Sequence, residues 1–332
     1  MPVERIGVTD NFFELGGHSL IGVRIMAKVN KAFGTQLQVA ALLTTQTIEK
    51  LALLVGDETH NASPIVPIAV AEKPPIFMIH PVGGDVLCYA DIARTLSSEF
   101  SVYGVRAQGL DGHSDLAPSL EEMISLYVDA ITVQQPVGPY CLLGQSLGGI
   151  LAIAVAARLE AAGRVVSHVV MLDTYSPQHL SAAGATESEI VSKALGVNSV
   201  IGQNRSDQDA GVENQADSNA YLMQLYQVAR QAGVVPAEMP ADQFACIYRV
   251  TVQNHTFASQ YEVENITANV HHFTAADNVT GEPSGNSWKQ VMPTLESTIV
   301  AGGHESMMRG EHAESLGQAI ISRLKSDNNN NE

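Results

Sequence analysis

Ser146 lies in Gly144-Gln145-Ser146-Leu147-Gly148, between the apolar run Tyr140-Cys141-Leu142-Leu143 and an apolar helical pattern over 150–158. A strand that turns sharply into a helix, with small residues at the turn, lifts a serine hydroxyl clear of the backbone. That hydroxyl is a poor nucleophile until a base takes its proton and a carboxylate holds the base. In the order serine, acid, histidine, the partners are Asp173, which ends the run Val169-Val-Met-Leu172, and His304, in the glycine-rich Ala301-Gly-Gly-His304. The chemistry of such a set is acyl transfer. Asp277, after the next expected strand, is the reserve acid, because an aspartate at a strand end is often only a helix cap. His255, His271, His272 and His312 read as surface or packing residues, and His80 as a structural residue at a strand end. A developing oxyanion needs fixed donors, which backbone amides supply without reorganisation. The N–H of Leu147 is one, and the N–H of Val82, in His80-Pro81-Val82-Gly83-Gly84, is the other.

A second serine stands in a different setting. Ser19 closes Asp10-Asn-Phe-Phe-Glu-Leu-Gly-Gly-His-Ser19 and opens an amphipathic helical pattern. A serine at a helix N-terminus, after two glycines that leave room for a modifying enzyme, can hold a phosphate diester where backbone amides and the helix dipole favour negative charge. By pattern alone an ordinary N-cap serine is the favoured reading there.

The elements that must position these groups fall into two units. Residues 1–56 carry helical spacing, with Leu20, Val23, Ile25, Met26 and Val29 on one helix and Ile48, Leu51, Ala52 and Val55 on another. Residues 57–75 read as a polar, proline-bearing linker. From Ile76 strands and helices alternate, which predicts a mainly parallel sheet covered on both faces. Strands are expected at 76–79, 101–105, 140–145, 169–172, 270–273 and 297–300, and helices at 86–96, 120–133, 147–163 and 313–324. The alternation breaks over 176–263, where helical patterns at 187–195, 221–231 and 244–252 flank a polar stretch, 203–219. An insertion of this size in such a sheet is expected to be a lid. The tail, 327–332, reads as disordered. Of the 332 residues 16% are charged, and the net charge of -17 argues against nucleic acid or anionic lipid as a partner. Cys88, Cys141 and Cys246 have neither metal-ligand nor disulfide spacing. No segment reads as a secretion signal or a membrane span, so a cytoplasmic protein is expected.

Taken in order, the His-Pro-x-Gly-Gly turn, Gly109-Leu110-Asp111-Gly112, Gly-Gln-Ser-Leu-Gly-Gly, Leu172-Asp173, the helical insertion and Gly-Gly-His resemble the thioesterases that terminate nonribosomal peptide and polyketide synthases. Residues 3–55 resemble a peptidyl carrier domain, whose attachment motif is matched from Asp10 to Leu20. His18, where an aspartate is common in polyketide carriers, tips the resemblance towards amino-acid substrates. The resemblance implies an α/β-hydrolase fold with a helical lid (residues 76–326, lid 176–263) behind a small all-α carrier domain (1–56) that lacks its first helix. An apolar face of that domain is expected to be partly exposed. It also implies 4'-phosphopantetheine on Ser19, attached by a phosphopantetheinyl transferase, and upstream condensation and adenylation domains. Release then runs by transfer of the peptidyl or acyl thioester to Ser146, followed by hydrolysis or macrocyclisation. A stand-alone editing thioesterase or esterase is the alternative within enzymes, and a non-catalytic carrier or docking module the alternative outside them.

Overall fold

A computed structural model describes residues 6–17, 19–35, 37, 39–55, 63–112, 114–184, 190, 215–231, 235, 239–277 and 283–329. Seven strands form one sheet: β1 (Ile65–Ala69), β2 (Pro75–Ile79), β3 (Ser101–Val105), β4 (Tyr140–Gln145), β5 (Val166–Leu172), β6 (Asn269–Ala275) and β7 (Ser297–Val300). Their order is β1-β3-β2-β4-β5-β6-β7. β1 pairs antiparallel with β3, and every other pairing is parallel. Successive side chains of a strand point to opposite faces, so strands covered on both faces read as continuous apolar runs. Ile76 and Met78 accordingly join one buried cluster and Phe77 and Ile79 the other.

On the first face lie α4 (Ala90–Leu96) and α10 (Gly310–Asn329). On the second lie α5 (Leu120–Gln134) and α6 (Leu147–Ala161). α5 starts where the Ser119 hydroxyl accepts from the Glu122 N–H at 3.2 Å, a side-chain cap for an otherwise orphaned donor. Buried on nearly every side, α6 has apolar residues all round rather than on one stripe.

Between β5 and β6 the chain leaves the sheet for α7 (Pro177–Ala183), α8 (Gln215–Gln231) and α9 (Ala241–Gln260). Of the helix expected at 187–195 only Ile190 is described, helical and buried, and residues 203–214 of the polar stretch lie outside the described residues; 215–219 belong to α8. The inserted helices have their own apolar cluster, with Leu225, Tyr226, Phe244 and Tyr248 at its centre.

The N-terminal segment is helical: α1 (Ser19–Phe33), α2 (Ala41–Thr44) and α3 (Ile48–Leu54). Met26, Leu42, Leu43 and Leu51 pack into the same cluster as Val66, Ile68 and Leu87, and Val23 touches the inserted helices. Seven of the thirteen large exposed apolar side chains among the described residues lie between Ile6 and Leu53, so part of this segment's apolar surface faces solvent.

Two findings differ from the sequence reading. The stretch 57–75, expected to be linker, contains β1. Its prolines disguise a period-2 pattern in which Val66 and Ile68 are buried and Pro67 is exposed. Proline is tolerated there because β1 is an edge strand. The tail expected to be disordered from 327 continues α10 as far as Asn329. Among the described residues no helix is long and apolar enough to cross a membrane.

Candidate active site

Ser146 occupies the turn between β4 and α6 with φ 56° and ψ -127°, a backbone conformation that a non-glycine residue adopts only under local constraint. Two contacts supply the constraint. The Ser146 N–H donates to the Leu172 carbonyl at 2.8 Å, and Gly148 lies so close to β2 that a β-carbon there would strike the Ile79 carbonyl. A side chain at 148 would push α6 off the sheet and open the turn.

Asp173 ends β5, fully buried, also at positive φ (43°). Its N–H donates to the Phe273 carbonyl at 2.7 Å, which turns the carboxylate along the sheet rim. One oxygen receives His304 Nδ1–H at 2.7 Å. The other receives the Ser284 hydroxyl at 2.6 Å and the Ala275 N–H at 3.2 Å. Burial pushes the Asp173 carboxyl up, but the bonds from His304 and Ser284, the His304 charge and the Ala275 amide outweigh it and hold the group below the usual carboxylate range. It therefore stays ionised beside the imidazole. His304 is 36% exposed, and its carbonyl accepts from Gln145 Nε2 at 2.8 Å. The residue before the elbow serine thus pins the loop that carries the histidine.

The structure brings together the strand ends that carry Ser146 and Asp173 and the His304 loop. Asp277 is exposed in the turn after β6, where its N–H bonds to the Gly302 carbonyl, so the acid that meets His304 is Asp173. Val82 and Leu147 follow the neighbouring strands β2 and β4, and the first N–H groups of a helix have no partner within it. His80 is wholly buried. Its Nδ1–H donates to the Pro81 carbonyl at 2.8 Å, its Nε2 accepts from the Tyr127 hydroxyl at 2.6 Å, and burial pushes its pKa down to about 4. A ring with both nitrogens engaged is a brace for the loop rather than a base. His272 is likewise held between the Thr174 carbonyl and the Ser297 hydroxyl.

This site sits in a recognisable context. Residues 74–326 match the thioesterase domain family, and residues 1–55 match the phosphopantetheine attachment site family. The chain belongs to the thioesterase domain family. A dimodular nonribosomal peptide synthase of Bacillus subtilis (strain 168) is 28% identical over 331 residues, which is 98% of this chain and 14% of that relative. The chain thus spans a small part of the synthase it matches. Among solved structures, a four-domain nonribosomal peptide synthetase in its holo form, bound to AMP and glycine, superposes on 97% of this chain with TM-score 0.66 and 26% identity; the match covers 25% of that synthetase. The NocB thioesterase domain, in covalent complex with a fluorophosphonate nocardicin G analogue, superposes with TM-score 0.56 and 21% identity over 76% of this chain and 96% of its own, a likeness of fold.

The attachment domain of this thioesterase chain fits its prosthetic group at the backbone level. Ser19 is the first residue of the fifteen-residue α1, and Gly16, at φ 87°, shapes the turn before it. The free amides of such a helix start suit a phosphate diester. Among the described residues one other group, His168, His271 and Asp327, has donor types that suit a metal. Arg323 Nε–H donates to His271 Nδ1 at 3.3 Å, so the ring proton sits on Nε2 and faces His168 Nδ1 at 3.1 Å and Asp327 at 3.4 Å. That nitrogen is a donor, not a ligand.

Sequence reasoning missed Ser284, Gln145 and Asn254. Ser284 lies in a glycine- and proline-rich loop without periodicity, and nothing local marks it. Gln145 was in view as the variable position of the elbow. Asn254 could have been flagged as an amide one turn after Val250 on the inward face of a helix.

Proposed function

We propose that the protein releases a finished peptidyl or acyl chain from the phosphopantetheine thioester of its own carrier segment. Ser146 is the nucleophile, His304 the general base, Asp173 the anchor of that base, and the N–H groups of Val82 and Leu147 the oxyanion donors. Ser19 is the attachment residue. One observation carries the reading. An elbow serine and a 2.7 Å Asp173–His304 pair share one sheet rim in a chain that also has a phosphopantetheine attachment domain.

The prosthetic group supplies a thioester on a long arm; the rest is done by the protein. The Ser146 oxygen bonds to the thioester carbonyl carbon as its proton moves to His304 Nε2, and the carbonyl π pair becomes the oxyanion. Asp173, ionised, stabilises the imidazolium and keeps Nδ1–H as the inward donor. Collapse would break the C–S bond, with His304 returning its proton to the departing sulfur as general acid. A serine ester remains. His304 then takes a proton from water, or from an amine or hydroxyl of the same acyl chain, as that atom bonds to the ester carbonyl carbon; collapse breaks the Ser146 O–C bond, His304 returns the proton to the Ser146 oxygen, and the product is a free acid or a macrocycle. The insertion over 176–263 acts as the lid that selects between these acceptors by excluding water and folding the chain into a near-attack shape. A phosphopantetheinyl transferase and upstream condensation and adenylation domains are the partners this reading requires. The fused carrier favours it over an editing enzyme, which must visit carriers in trans.

Ser146→Ala tests the assignment. With a synthetic acyl group loaded on the carrier, intact-protein mass spectrometry is expected to show the acyl group retained, with release slowed about 10⁴-fold or more. Release at the parent rate would remove Ser146 from the mechanism.

A further inference from the structure

The insertion is expected to act as a cover, yet one of its helices is built into the site. Along the inner face of α9, residues four apart stack in a line. Val250 meets Gly84, whose φ is 82° and where a β-carbon would lie 2.7 Å from the valine methyl. One turn on, Asn254 is wholly buried, and its Nδ2–H donates to the Val82 carbonyl at 2.9 Å. Between them Gln253 Nε2–H donates to the Ala117 carbonyl at 2.7 Å. Helix α9 is thus seated directly on the loop that supplies an oxyanion donor.

The hydrogen bonds of that loop explain what the amide does. The Val82 N–H belongs to the peptide unit of the Pro81 carbonyl, and that carbonyl is held from the body of the protein by His80 Nδ1–H at 2.8 Å and Gly84 N–H at 2.9 Å. The next peptide unit presents the Val82 carbonyl, and the contact found for it is Asn254. Two glycines follow, Gly83 and Gly84, which leave that unit free to rotate unless something grips it. A carbonyl requires a donor opposite, so the asparagine must turn its nitrogen to Val82. Its Oδ1 is then buried without a protein donor among the described residues, a cost in stability that accompanies the bond to Val82.

We propose that Asn254 is a positioning residue for the oxyanion hole. By gripping the Val82 carbonyl from the insertion, it holds the turn that brings the Gly84 N–H onto the Pro81 carbonyl, and so steadies from a second side the peptide plane that carries the Val82 N–H. The proposal rests on the assignment of Val82 as a donor and on the Ser146 mechanism above.

The test uses the full holo chain and octanoyl-N-acetylcysteamine as thioester probe, with thermal melts alongside. Asn254→Leu keeps the branching and heavy-atom count of the side chain and removes the donor. It is expected to lower kcat about 10- to 100-fold, less than or near the loss of a whole oxyanion donor, with KM within threefold and a single cooperative melting transition that shows the variant is folded. Asn254→Asp, which sets a carboxylate against the Val82 carbonyl, is expected to be at least as slow. Thr251→Val, which removes a neighbouring buried hydroxyl that has no protein partner among the described residues, is expected to leave kcat within twofold. Parent-like kcat in Asn254→Leu, a loss confined to KM, or an equal loss in Thr251→Val would each overturn the proposal. If Asn254→Leu does not fold, the isosteric Asn254→Asp decides, and a kcat within twofold of the parent ends the idea. Failure of the underlying mechanism looks different: Ser146→Ala would then still turn over the probe.

Discussion

Two serines stand at the starts of two fifteen-residue helices, and their surroundings are opposites. The helix after Ser146 has twelve of its residues buried, and the serine itself is bent into an unusual backbone conformation held by its neighbours. The helix that opens at Ser19 is half covered, with Phe33 at its end 64% exposed, in a segment that leaves Ile6, Val8 and Leu53 in solvent. Reactivity requires a residue over-determined by its packing, because strain and aligned partners must survive substrate binding. Being modified by another enzyme requires the reverse, a helix start that a second protein can reach. Under the proposed function, the same residue type is a reagent in one place and a handle in the other.

This contrast can be broken in four ways, beginning with the all-or-none case. Ser19→Ala is expected to abolish the mass increment that coenzyme A and a phosphopantetheinyl transferase add to the parent chain; an unchanged increment would place the handle elsewhere. Next, Asp173→Asn should slow thioester release about 10³- to 10⁴-fold, since the amide no longer holds the imidazole in its working tautomer. Asp277→Asn, which alters only an exposed turn, is expected to stay within twofold, and a reversal of the two would move the acid to the following strand.

A smaller effect is expected from Ser284→Ala, about three- to tenfold in kcat. Its hydroxyl is one of the groups that keep the Asp173 carboxyl low. A carboxyl depressed by folding contributes stability above its unfolded pKa that is lost as pH falls through the folded value. The variant should therefore lose that contribution at higher pH than the parent, read as urea midpoints between pH 5 and 2.5. Coincident curves would show that Ser284 does not act on Asp173. The last prediction concerns His80, whose pKa is about 4 in the fold against about 6.5 unfolded. Stability from a base depressed in this way is complete above about pH 6.5 and falls as pH drops toward 4, by about 3 kcal/mol for the full gap. His80→Gln should flatten the urea midpoint over that range, and an unaltered slope would assign the acid sensitivity to other groups.

How much of this was legible in the chain depends on the range of the interaction. The elbow, Asp173 and the Gly-Gly-His loop declare themselves because each needs a local sequence of small residues, strand and turn. The strand Ile65–Ala69 did not, since its prolines break the alternation that marks a strand, and only pairing with β3 makes it one. Ser284 and Asn254 act over 111 and 172 positions of chain respectively, and a polar residue gives no local sign of which distant group it will meet. The side chains proposed to do the chemistry were readable; those that hold them in place became visible only once the sheet rim was assembled.

That edge strand has a further consequence. It anchors the chain to the sheet at Ile65, eleven residues beyond the end of α3 at Leu54. A leash of that length reaches at most about 40 Å whatever path it takes. A tethered partner so confined is present at an effective concentration in the millimolar range. Under the proposed function, rival carriers diffusing past would have to exceed that figure to be served first.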